Sequence, residues 1–411
     1  MTKPRQPVRV LCSCSGLGIC NRGIESFFRE AFDGLKGTDG LELRLLKGAG
    51  QTRNDEHVLW NLPRTGRLAK WLGRLTGRNG YVLEQWSTFL PVTRQIRKHR
   101  PDVVFYSESN LGFLLHRRRD QIGVPFRLLF SNGGPCHPPF DRHDFVHQIA
   151  PLYYDQATTF GEPPAKHFFV PYGIKMCLAP VLDPVAKRSL RIQLNLPPDR
   201  RVVLSVGWIS RTHKRMDYVI EEIARLPEPR PFLQLLGAMD KGSADIIELG
   251  NCLLGKDGFA AGSVSYDKVF DYYRAADCFV LASLQEGFGR VYLEAMMAGL
   301  PVIAHAHPVM DFVLGGQGIL GDLSQPGQLA ALLTTELRKS TNQELAQHRW
   351  QSVHDRFSWE VLAPKYRQMF EACAGSRRRE EADKCTNWAK NSASSRRRLP
   401  EFRQFSHTLL A

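Results

Sequence analysis

"DCFVLASLQEGFGRVYLEAMMAGLPVIA", residues 277–304, decides how this 411-residue chain is read. "DCFVLAS" reads as a short buried strand. "LQEGFGR" follows with two glycines that free the backbone for a loop, and "VYLEAMMA" brings strong helix formers until Gly299 and Pro301 stop the helix. "PVIA" opens another strand. A strand, a glycine loop and a helix make a βα unit, and the crevice at the strand's carboxyl end is where open α/β sheets bind ligands. Glu286 in the loop and Glu294 in the helix enter it with seven residues between them.

The first helical turn, near Arg290 to Tyr292, carries backbone N–H groups without partners inside the helix, at the positive end of its dipole. They suit a diphosphate. Glu294 leans back toward that end and is placed to accept hydrogen bonds from a diol such as a ribose. Glu286 points into the crevice from the loop, where Gly287 and Gly289 let the backbone approach a second part of a ligand, a sugar being the obvious candidate. By spacing alone, both acids could equally decorate a helix start, where negative charge is favourable.

Working outward, the same alternation recurs. "VRVLC" (8–12) reads as a strand, "SCSGLGICNRG" as a glycine-bearing loop and "IESFFREAFDGL" as an amphipathic helix. "LELRLL", "PDVVFYS" and "FRLLF" read as further strands, with "TFLPVTRQIRKHR" a helix between them. Prolines punctuate the chain from Pro171 to "LPPD", and a second series follows: strand "RVVLSVGWIS", helix "MDYVIEEIARL", strand "PFLQLLG", helix "SYDKVFDYYRAA". Strands alternating with helices imply parallel sheets, and a chain of this length exceeds one core of ~100–200 residues. The expected fold class is α/β, with two doubly wound parallel-sheet domains in tandem.

Apolar residues make up 43% and charged residues 23%, ordinary for a globular protein. No run approaches the ~18–20 apolar residues of a membrane span, and "MTKPRQPVRVLCSCSGLG" lacks the apolar stretch of a signal peptide. A cytoplasmic location with reduced cysteines is expected. Cys12, Cys14 and Cys20 lack the spacing of a metal site and read as core thiols, and no metal motif stands out elsewhere. The net charge of +14 raises nucleic acid or an anionic membrane as partners. The arginines are scattered and fit no nucleic-acid-binding motif, which argues against the first. For the second, residues 66–78, "GRLAKWLGRLTGR", place Leu68, Trp71, Leu72 and Leu75 at i, i+3, i+4, i+7 among Arg67, Lys70, Arg74 and Arg78. That pattern predicts a basic amphipathic helix suited to an anionic bilayer, or one packing its leucines onto the first sheet.

"EGFGRVYLE" resembles the E-x7-E signature of retaining, nucleotide-sugar-dependent glycosyltransferases of family 4, which have the two-Rossmann GT-B fold. "RGIESFF", "FVPYGI", "VLSVGWISRTHKRMDYVI" and "PVIA" resemble, in order, the family's glycine loop and first helix, its interdomain segment, its glycine-and-lysine loop and the strand after the signature. The resemblance spans about residues 8 to 370. It implies two Rossmann-like domains facing across a cleft: an acceptor-side domain over 1–172, a nucleotide-sugar-binding domain over 173–357, and a helix over 358–374 returning to the first domain; the basic stretch over 375–411 lacks an apolar period and is expected to be an unstructured tail.

By the same resemblance, Lys214 neutralises the donor diphosphate. Trp208 stands where family members often have arginine, so Arg211 is its proposed substitute. Glu294 holds the ribose and Glu286 the transferred sugar. Gly287, Phe288, Gly289, Arg290 and Val291 add backbone contacts, and Gly16, Gly18 and Gly23 approach the diphosphate from the first domain. Of His137, His143 and His147, which follow the strand "FRLLF", His137 is the choice for the active site. The implied activity is metal-independent transfer of a sugar, retaining its configuration, from a UDP- or GDP-linked donor to a saccharide or lipid-linked acceptor, in cell-surface polysaccharide or glycolipid synthesis. The donor serves as co-substrate, and no other cofactor is expected. Another enzyme of this fold, a phosphorylase or epimerase, and a degenerate nucleotide-binding scaffold are the alternatives.

Overall fold

The computed structural model describes residues 6–392 except 21, 65, 135, 178–182 and 341. Two parallel sheets organise it. The first contains β1 (Val8–Cys14), β2 (Leu41–Lys47), β3 (Glu56–Val58), β4 (Val103–Tyr106), β5 (Arg127–Ser131), β6 (Phe145–Gln148) and β7 (His167–Phe169). Their spatial order is β3-β2-β1-β4-β5-β6-β7. The second contains β8 (Val202–Val206), β9 (Phe232–Leu236), β10 (Phe259–Gly262), β11 (Cys278–Leu281), β12 (Val302–His305) and β13 (Ile319–Gly321), in the order β10-β9-β8-β11-β12-β13.

The central strands are buried at every position, as in "VVFY" of β4 and "VVLSV" of β8, because helices cover both faces of each sheet. Strand order reverses between β1 and β4, and again between β8 and β11. Each reversal sends the connecting helices to opposite faces and leaves a crevice beyond the strands' carboxyl ends.

The chain passes between the domains twice. After β7 it runs through Val170–Lys175, and it returns at Phe357–Trp359, where the Ile174 N–H donates to the Phe357 carbonyl at 2.9 Å. The last helix, Trp359–Ser392, buries Tyr366, Met369, Phe370 and Cys373 against the first domain. Trp359 fills a slot that only glycine neighbours permit: a Cβ on Gly34 would lie 2.3 Å from the indole, and one on Gly173 2.5 Å. Phe27 stacks on Tyr172 beside it, centroids 3.7 Å apart.

The strands expected over residues 8–12, 41–46, 101–107, 201–210, 231–237, 277–283 and 301–306 are present; the first two run on to Cys14 and Lys47, and the others have shorter ends. The segment after β5 that carries His137, His143 and His147 holds a further strand, β6. The tail expected from residue 375 is helical to Ser392, its Ala, Arg, Glu and Lys being good helix formers. Residues 393–411 lie outside the described part. The expected helix at 66–78 runs from Arg67 to Thr76, and Gly73 belongs in it because a Cβ there would meet the Arg78 carbonyl oxygen at 2.7 Å. It packs through Ala69 and Leu72 against Leu62 and Leu83, and leaves Leu68, Trp71 and Leu75 exposed by 54%, 56% and 66%. Among the described residues, no helix is long and apolar enough to cross a membrane.

Candidate active site between the two sheets

The loop leaving β11 turns into the helix Arg290–Met297 through Gly289, whose φ of +77° is left-handed. A Cβ there would also fall 2.5 Å from the Tyr292 ring, so the turn requires glycine. The loops leaving β8 and β9 touch in the same way, since a Cβ on Gly237 would meet the Gly207 oxygen at 1.6 Å. These close approaches bring three loops to one cavity of about 470 Å³, walled on its far side by the first domain. Its size suits a nucleotide-sized ligand.

Lys214, Glu286, Gly287, Phe288, Gly289, Arg290, Val291, Glu294 and Gly23 all line this cavity, as expected from the sequence. Lys214 Nζ pairs with Glu286 Oε1, and His213 Nε2 lies 3.8 Å from the same oxygen. Burial pushes the Glu286 carboxyl up, but His213, Lys214 and Ser283 outweigh it and hold the group at about 2, so it is ionised at any ordinary pH. Glu294 behaves oppositely: burial raises its carboxyl despite Arg290 nearby and the Tyr273 hydroxyl, which donates to Oε2 at 3.0 Å. Two acids in one cavity are thus tuned apart. The Phe288 ring is buried against Tyr172 and Phe357.

Four expected residues are not brought there. Arg211 turns outward to Asp217, at 3.2 Å, on the exposed part of its loop. Gly16 and Gly18 shape the turn after β1: a Cβ on Gly16 would meet Glu25 Oε1 at 2.3 Å, and Gly18, with φ +85°, packs on the Ala49 carbonyl. His137 is exposed and does not line the cavity. The other two histidines are core groups. His143 stacks on Phe130 at 4.4 Å and bonds the Tyr106 hydroxyl at 2.7 Å, and His147 bonds the Val170 carbonyl at 2.6 Å. Burial lowers both imidazoles to about 4. Cys12 and Cys14 are core thiols, the first pushed up to about 12 by burial.

Several residues at the site had no role in the sequence reading, and Trp208 entered it only as the replacement of an arginine. Arg22 lines the cavity from the first domain while its Nε donates to Glu25 Oε2 at 3.2 Å; its place directly before the helix-opening Gly23 was the available signal. Trp208 lines the cavity with its side chain half exposed. The Tyr153 hydroxyl lies 3.1 and 2.9 Å from the carbonyl oxygens of Glu286 and Gly287, to which it donates across the domains, and no local sequence pattern marks it.

Residues 186–350 match the family model of glycosyl transferases group 1. The chain is 37% identical to D-inositol 3-phosphate glycosyltransferase 2 of Catenulispora acidiphila over 133 residues, 29% of this chain and 31% of that protein. It spans less than half the length of the curated relatives first matched. Among solved structures, sucrose-phosphate synthase of Thermosynechococcus elongatus superposes with a TM-score of 0.69 at 20% identity, covering 89% of this chain and all of that one. HepE of Anabaena, solved with UDP and glucose, gives 0.67 at 17% identity over 89% of this chain and 100% of its own. The fold is therefore GT-B, and its second domain carries the match to group 1 glycosyl transferases.

Proposed function

We propose that this chain is a glycosyltransferase that moves a sugar, with retention and without a metal, from a UDP- or GDP-linked donor to a saccharide or lipid-linked acceptor. The observation that carries this reading is the convergence on one interdomain cavity of Lys214, Glu286, Glu294 and the uncapped start of the helix Arg290–Met297. In this reading Glu294 takes the ribose diol and Glu286 the hydroxyls of the transferred sugar. Charge that builds on the leaving diphosphate meets Lys214, the helix tip and Arg22 from the opposite wall. Fixed charges of this kind favour the transition state over the bound donor, because they need not reorganise as the bond breaks. Attack from the face the diphosphate leaves, with a phosphate oxygen taking the acceptor proton, requires no protein nucleophile. The exposed basic helix Arg67–Thr76 supports an acceptor met at the cytoplasmic face of an anionic membrane, in glycolipid or surface polysaccharide synthesis.

Titration calorimetry with UDP and GDP tests the assignment. One of them should bind, and Glu294→Ala should weaken it by about 2 kcal/mol, roughly 30-fold, through lost hydrogen bonds to a charged acceptor. Lys214→Ala should cut turnover by about 10²–10³-fold. Unchanged affinity in the first variant, or near-native turnover in the second, removes the corresponding role.

A further inference from the structure

One carboxylate ties together three parts of the chain that otherwise belong to different domains. Glu30 projects from the first-domain helix Gly23–Leu35 and is buried. Its Oε1 accepts from Arg290 Nη2 at 2.6 Å and from the Tyr266 hydroxyl at 3.0 Å, and its Oε2 accepts from the Lys175 backbone N–H at 2.7 Å. Arg290 is the first residue of the second-domain helix, Tyr266 opens another second-domain helix, and Lys175 lies in the connection between the domains. Arg290 completes the link by donating from Nη1 to the Gly173 carbonyl at 2.8 Å.

The two helices joined in this way both start at the cavity. Neither has a side chain capping its N-terminus, and Gly23 and Arg290, their first residues, line the same space. Gly23 brings them close: a Cβ there would stand 4.0 Å from Arg290 Cδ. The positive ends of two helix dipoles, one from each domain, are therefore held at a fixed separation by Glu30 and Arg290. A guanidinium bonded in two directions fixes orientation as well as distance, which an ammonium does not. Tyr266 and Arg290 stand beside Glu294 as well, so the link also sets the surroundings of the expected ribose acid.

We propose that Glu30 and Arg290 are positioning residues that set the gap between the two helix tips, so that a diphosphate is gripped from both domains at once. This rests on the nucleotide-sugar reading above. On this basis the pair acts on affinity for the diphosphate and on the donor KM, beyond any contribution to stability.

UDP and GDP titrations of the wild-type protein, Glu30→Gln, Arg290→Lys and the double variant separate the cases, with a melting curve recorded for each. Glu30→Gln keeps the size and an acceptor oxygen while removing the charge. The expected result is at least a tenfold loss of diphosphate affinity and a matching rise in donor KM in each single variant, with the double variant no weaker than the worse single one. Loss of affinity in a variant whose melting curve is native supports the positioning role. Native affinity in Glu30→Gln or in Arg290→Lys, whatever the shift in melting, overturns it. Should Glu30→Gln fail to fold, Arg290→Lys and Tyr266→Phe, which removes one bond to Glu30, carry the same decision. If the wild-type protein binds neither diphosphate, the nucleotide-sugar reading fails; if it binds one and the variants bind equally, only the latch fails.

Discussion

Glu108, just past the carboxyl end of β4, shows what burial does to an acid without a cation. Its Oε1 accepts from the Ser15 N–H at 2.6 Å and from the Ser15 hydroxyl, while Oε2 is buried without a hydrogen-bond partner. Burial, opposed by Ser15 and reinforced by Glu84 and Glu25, pushes its carboxyl up to about 7. The folded state then holds a proton between about pH 4.5 and 7 that the unfolded chain has released, so this group's share of stability falls as pH rises through that window, by an amount on the order of 3 kcal/mol. Glu286 has the opposite sign: its share is present above its unfolded value and is lost only as pH falls toward 2. Melting curves of wild type and Glu108→Gln between about pH 5 and 7.5 should converge at the acid end and separate in favour of the variant at the other; parallel curves would refute the assignment. Glu286 and Glu294 were legible because a strand–loop–helix pattern fixes where side chains at those spacings point, and Lys214 because its loop resembles a known glycine-and-lysine motif. Arg211 and His137 were not, because each sits on a loop with no period to fix where its side chain points; the arginine turns to Asp217 in the first turn of the following helix. Arg22 and Tyr153 reach the site only through the docking of one domain on the other.

Elements with a strong period were the legible ones. The helices Gly23–Leu35 and Met216–Ala224 and the buried strands β1, β8 and β11 follow directly from apolar spacing. β3, β7 and β13, of three residues each, and β6, with the polar His147 and Gln148 at its end, carry too little pattern to declare themselves; pairing with a neighbouring strand makes them. The helix Arg67–Thr76 followed the pattern but divided its apolar residues differently. Packing needs only Ala69 and Leu72, so Leu68, Trp71 and Leu75 are left outside with Arg67, Lys70 and Arg74 on the same short helix. Vesicles containing anionic lipid should therefore sediment the protein, and Trp71→Ala combined with Leu75→Ala should abolish this without lowering the melting temperature, since neither side chain is packed. Sedimentation that ignores lipid charge and both substitutions would leave this helix without a membrane role.

Across the whole molecule, the indole of Trp359 anchors the interdomain connection on the first domain: it lies between Gly34 of the first-domain helix and Gly173 of the connection, with Tyr366 at 5.3 Å. Trp359→Ala should cost about 3–5 kcal/mol by opening a cavity there, read as a lower calorimetric melting temperature. A single transition at the native temperature would show that the indole contributes little. Residues 170–175 and 357–359, which carry the chain out and back, lie side by side and share a backbone hydrogen bond from Ile174 to Phe357. A strap made of two adjacent peptide strands flexes readily across its flat side and resists bending within its own plane. Because the two crossings are tied to each other, any movement of one lobe at this edge carries both of them together.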